Sequence, residues 1–162
     1  MRALKSSPFS VVFLSLVFGV LLTVMPLPNS LLWWRPPWLL IILFFWVLVS
    51  PAFYGVGFAW MVGILMDMLM GVSFGQHALV FVLLTYVMIK FHTVFFHSPR
   101  FQQALLIGLL ALFSVLLQGM VSHMLSQPTN VSHHLLSVLT TVLVWPVVIA
   151  LIESMQPRRY HL

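Results

Sequence analysis

The chain has 162 residues, of which 62% are hydrophobic and 6% charged, and its mean hydropathy is +1.12. A water-soluble domain of this size cannot carry that composition, so the sequence reads as one integral-membrane domain over residues 1-162. The absence of cysteine removes disulfides, thiolate metal sites and cysteine nucleophiles; the net charge of +5 sits beside apolar runs, where it orients a chain in lipid and marks no nucleic-acid partner.

At the N-terminus Arg2 and Lys5 precede an apolar stretch from Val11 to Val24. Met25-Pro26-Leu27-Pro28-Asn29 follows it without a small-x-small cleavage pattern, which predicts an uncleaved first helix. Six stretches approach the length of a spanning helix, at about 9-25, 38-53, 54-71, 78-96, 104-125 and 135-152. Between the second and third stand only Ser50-Pro51 and Tyr54-Gly55-Val56-Gly57, so either a tight turn or one long broken helix fits there. Six crossings put Arg2, Lys5, Lys90, Arg100, Arg158 and Arg159 on one side and Arg35 alone on the other. The predicted fold class is therefore an all-α, polytopic membrane protein with about six transmembrane helices and both termini cytoplasmic.

The first outer loop, PLPNSLLWWRPPW, is aromatic and basic. Trp33, Trp34 and Trp38 suit the lipid headgroup layer, and Pro36-Pro37 suits a first helical turn, whose N–H groups have no intrahelical partner. The loop reads either as a plain interfacial anchor or as a semi-rigid cap that holds Arg35 over the bundle.

Catalysis within a membrane needs paired groups, such as two carboxylates, a serine beside a base, or metal ligands at helical spacing. The only acidic residues, Asp67 and Glu153, fall on different helices near opposite ends of the bundle. His92 and His97 are five apart and share no helix face, His133-His134 lie in an outer loop, and Met66 and Met70 read as packing. No phosphate loop, dinucleotide fingerprint or nucleophile elbow is present. The sequence thus predicts no enzyme and no cofactor.

Asp67 stands out because a carboxylate at a helix centre costs roughly 2.5–3.5 kcal/mol to insert and normally faces protein or water. Val56, Trp60, Gly63, Asp67 and Gly71 recur at intervals of three and four, which predicts one shared face. On it Gly63 and Gly71 would admit a close-packed backbone on either side of the carboxylate. Asp67 would lie roughly 6 Å below the outer end of its helix. Arg35 in the outer loop is its expected partner, with Gln118 of the fifth helix as the other; a neutral Asp67 hydrogen-bonded to helix backbone is the alternative. Glu153 reads as an ordinary solvated carboxylate near Arg158 and Arg159.

These residues carry a resemblance. Met25-Pro26, then Arg35-Pro36 before the second helix, then Gly63, Asp67 and Gly71 in GFAWMVGILMDMLMGVSFGQHAL follow in an order similar to the MreD family of rod shape-determining proteins of Gram-negative bacteria. The resemblance implies a multi-pass protein of the bacterial cell inner membrane, without enzymatic activity, in the cell-elongation machinery. It implies MreC, with one membrane helix and a periplasmic domain, as partner. The actin-like MreB and a RodA-type glycan polymerase with its transpeptidase would be indirect partners. The implied six-helix fold is similar to the substrate-binding subunits of vitamin uptake transporters. That leaves a second reading, a small-molecule transporter subunit in which Asp67, Arg35 and Gln118 line a solute pocket.

Overall fold

The computed structural model of the chain describes residues 9–26, 28, 34–124 and 131–155. Among them it is all-helical: α1 (Phe9–Val24), α2 (Trp38–Val49), α3 (Val56–Met70), α4 (Gln76–Lys90), α5 (His92–His97), α6 (Arg100–Met124) and α7 (Val131–Met155). The basic residues Arg2, Lys5, Arg158 and Arg159, on which the predicted orientation leans, lie outside the described residues, as does Trp33.

α2 is the central helix, and its sequence says why. WLLIILFFWVLV is apolar all round, a pattern that needs neighbours on every side, and every residue from Leu39 to Val49 except Ile42 is buried. It packs against α1, α3, α4 and α7. The two prolines precede it, Pro37 as its N-cap, and so lie just before the first turn that the sequence suggested for them; they lend it carbonyls, Trp38 N–H donating to the Pro36 oxygen at 2.9 Å and Ile41 N–H to that of Pro37 at 3.0 Å. Deep in the core the Trp46 indole donates to Ser15 Oγ of α1 at 2.8 Å, and its ring meets Phe45 edge-on and Tyr54 at a tilt.

The second and third predicted helices are separate. α2 ends where Ser50 N–H bonds back to the Trp46 oxygen, and the N–H groups of Phe53 and Tyr54 then turn onto the Ser50 oxygen at 3.1 and 3.0 Å. Predicted as one helix, 78–96 starts two residues earlier, at Gln76, and divides at Phe91, whose ψ of 7° leaves the helical range. The bend sets the His92 ring 3.2 Å from the Leu48 carbonyl, at the end of α2. Such turns shorten the helices. α1 to α4 have 16, 12, 15 and 15 residues, against the roughly 20 that cross a bilayer straight. Among the described residues α6, with 25, is the helix long and apolar enough to cross by length and composition. α3 and α4 form the most extensive helix pair, followed by α6 and α7.

Candidate functional site

The polar centre of the molecule is built at the turn between α3 and α4. Two glycines in the left-handed region frame it: Gly71, at φ 63°, ends α3, and Gly75, at φ 97°, precedes α4. Asp67 serves both ends of this turn. Its backbone oxygen accepts the N–H groups of Gly71 and Val72, closing α3 in the manner of a glycine C-cap. Its carboxylate opens α4, where Oδ2 accepts Gly75 N–H at 2.8 Å and Oδ1 accepts His77 N–H at 2.7 Å. Oδ1 also accepts the His77 ring at 2.8 Å, with Nδ1 as the protonated nitrogen opposite a carboxylate. Asp67 is 1% exposed, so a negative charge sits buried on the positive end of the α4 dipole, with three N–H donors on it.

One turn below, Gly63 makes this approach sterically feasible. A Cβ built on it would lie 2.3 Å from Ala78 Cα and 2.7 Å from Ala78 N, so α4 rests directly on the α3 backbone. The small surface around Asp67 is thus used within the chain. Gly71, expected to serve the same purpose, does not: nothing lies within 4 Å of its built Cβ, and its glycine is needed for the positive φ. The predicted shared face also splits. Gly63 and Asp67 point inward, whereas Trp60 is 54% exposed and Val56 is exposed beside it. The short turn fixes α4 against the side of α3 that carries Ala59, Val62, Gly63 and Asp67, and α2 already fills the centre of the bundle.

Arg35 and Asp67 do not pair. The Arg35 guanidinium donates from Nη1 to the Thr23 oxygen and from Nη2 to the Met25 oxygen, at the negative end of the α1 dipole. Asp67 is satisfied first by donors a few residues along its own hairpin, which need no long side chain to be ordered across the bundle. Yet the structure does gather the predicted residues. A cavity of about 330 Å³ has Arg35, His77, Gln118, Ser114 and Thr23 among its polar lining and Met66, Met70, Leu39, Leu40 and Phe81 among its apolar lining. Arg35 and Gln118 face this one space, and Asp67 stands behind it through His77. Pro36 and Pro37 belong to the wall, Trp38 is half-buried, and Trp34 is 48% exposed.

Sequence reasoning missed His77. It falls ten residues after Asp67 and just before the predicted start of its helix, so it read as loop. The signal lay in Gly71 and Gly75: two residues free to take positive φ, four apart, fold the next first turn back onto the preceding last one. Close by, Gln76 Nε2 donates to Ser122 Oγ at 2.6 Å and ties α4 to α6. The described residues hold no cluster of three or more metal-ligating side chains.

With this geometry established, comparison with known proteins decides the family. The profile of the rod shape-determining protein MreD family matches residues 5–155. The chain belongs to that family. A similar relative is the rod shape-determining protein MreD of Haemophilus influenzae, 26% identical over 140 residues, which cover 86% of this chain and 86% of that protein. No solved structure matches. Membership in the MreD family places the chain among the determinants of rod shape, and its apolar helices agree with a membrane protein. The transporter-subunit reading finds no support in these matches.

Proposed function

We propose that this protein is a non-enzymatic scaffold of the cell-elongation machinery in the bacterial inner membrane. It crosses the bilayer six times with both termini in the cytoplasm, holds MreC, and through it meets MreB and a RodA-type polymerase with its transpeptidase. The observation that carries the reading is the family match over nearly the whole chain. The state of Asp67 supports it: a carboxylate that already accepts three N–H groups and is closed from water is placed to hold two helices together, and poorly placed to move protons for a reaction.

This geometry favours a partner surface other than the one the sequence suggested. Gly63 and Asp67 are covered by α4 of the same chain, so partners meet outward faces. One such face lies on α1, where Phe13, Leu14, Phe18 and Leu21 are all exposed. Co-purification of tagged protein at matched membrane abundance tests the reading. Wild type recovers MreC and the wall-synthesis enzymes, and polar substitutions at Leu14 and Phe18 lose them while the protein persists in the membrane. Recovery of none of these partners by the wild type would remove the scaffold reading.

A further inference from the structure

The cavity beside Asp67 holds a charge without a counter-charge. Arg35 is the formally charged side chain in its lining. Its Nη1 and Nη2 donate to the neutral backbone carbonyls of Thr23 and Met25, and its Nε is buried without a hydrogen-bond partner. The chain has two acidic residues in all. Asp67 is bound to Gly75 and His77. Glu153 lies sixteen residues along α7 from the cavity-lining Ser137, which is about 24 Å at the helical rise. Among the described side chains no carboxylate is left to neutralise Arg35. A guanidinium at a partly apolar site has a strong electrostatic demand for an anion, and two carbonyls at a helix end meet only part of it.

The remaining lining states what shape that anion takes. Gln118 lines the same cavity as Arg35, and its amide has donor and acceptor groups to offer. Met66, Met70, Leu39, Leu40 and Phe81 supply apolar lining, including flexible methionines that adapt to an irregular chain. The space of about 330 Å³ equals roughly ten waters at the liquid's ~30 Å³ each, enough for a small anionic head and a few carbons but not for a whole lipid. The geometry points to a binding site for a phosphate-bearing amphiphile: its phosphate sits on Arg35 and Gln118, the first carbons of its chain lie on the apolar lining at Met66 and Met70, and the rest of the chain leaves through the cavity mouth. Bidentate geometry makes arginine well suited to phosphate, and of its five N–H donors two go to the Thr23 and Met25 carbonyls. The site is independent of the scaffold reading and can fail without it.

The test uses the full-length protein in detergent, with lipid retention read by native mass spectrometry and stability read by thermal unfolding. The probes are phosphatidylglycerol, a diacylglycerol with the same chains and no phosphate, and inorganic phosphate. Wild type is expected to retain phosphatidylglycerol over diacylglycerol by about tenfold, the scale of one charge-assisted contact, and to melt higher with it. Arg35→Gln removes that preference. Gln118→Glu gives an independent reading if Arg35→Gln folds poorly: it puts a carboxylate into the same cavity, abolishes the preference, and leaves the lipid-free protein at least as stable. Equal retention of the two lipids by wild type, or a preference that survives both substitutions, overturns the proposal. Full stabilisation by inorganic phosphate alone assigns the site to a soluble anion and overturns the lipid.

Discussion

Gly63→Ala should be among the most damaging single-methyl additions in this protein, even though alanine is the better helix former. The propensity gain is about 1 kcal/mol. Against it, the new Cβ would stand 2.3 Å from Ala78 Cα and 2.7 Å from Ala78 N, both backbone atoms that no rotamer change can remove. Restoring ordinary contact near 3.5 Å means that α3 and α4 separate by roughly 1.2 Å at this level. Asp67 is one turn above, and its bonds to Gly75 and His77 are 2.7–2.8 Å long. The same displacement stretches them beyond hydrogen-bond range and strands buried N–H groups, at about 1–3 kcal/mol each. With overpacking itself costing about 1–3 kcal/mol, the net loss is about 3 kcal/mol or more, and the steric term wins. Unfolding in mixed micelles, with membrane abundance measured in parallel, reads this loss. Two outcomes would refute the reasoning. One is a change within about 0.5 kcal/mol, the size of an ordinary surface substitution. The other is rescue by Ala78→Gly, because the clash is with the backbone of residue 78 and removing its Cβ leaves it in place.

Further predictions concern the same turn and the core. Asp67→Asn keeps one oxygen and must present an NH₂ group to at least one N–H donor, so it should cost about 2 kcal/mol, whereas Asp67→Ala abandons all three donors and should cost about 4 kcal/mol or more; equal losses in micelle unfolding would count against the hydrogen-bond account. Gly71→Ala should cost about 1 kcal/mol and Gly71→Asn less, because the penalty there is the positive φ in open space, and a larger loss for asparagine would point to a steric cause. Ser15→Ala should cost about 1–3 kcal/mol by leaving the buried Trp46 indole N–H without its acceptor, and Trp46→Phe on that background should cost clearly less than in the wild type.

How much of this was legible in the sequence depends on the range of the interaction involved. Hydropathy is summed over many residues and placed the apolar helices to within a few positions, including the central α2, whose unbroken apolar run matches its burial on all sides. The insertion cost of a carboxylate implied that Asp67 faces protein, which needs no knowledge of the partner. The partner itself was not legible. Charge complementarity favoured Arg35, but the sequence does not reveal that a five-residue turn, Gly71 to Gly75, would bring three closer donors. Helical periodicity placed Val56 and Trp60 on the Asp67 face, yet it cannot say how wide the covered stripe is, and α4 covers only the Gly63 side of it. The two glycines looked alike in sequence and act differently, Gly63 through close approach and Gly71 through its dihedral angle.

The use of a carboxylate in this turn follows from the surroundings of α4. A helix that begins inside an apolar bundle brings N–H groups without intrahelical partners, and there is little water to meet them. The described bonds account for several of these: Gln76 N–H goes to the Ser73 oxygen, and Gly75 and His77 N–H both go to Asp67. A serine or asparagine at position 67 would offer a single neutral oxygen. Aspartate offers two oxygens and a charge that the α4 dipole favours, and it uses them on two backbone donors and one ring donor. The cost of burying the carboxylate is thereby offset at the site where it is incurred, and nothing of it remains to neutralise Arg35. That is why the lock on the α3–α4 hairpin and the unmatched cation in the neighbouring cavity occur together: the chain has one carboxylate at this end of the bundle, and the turn has taken it.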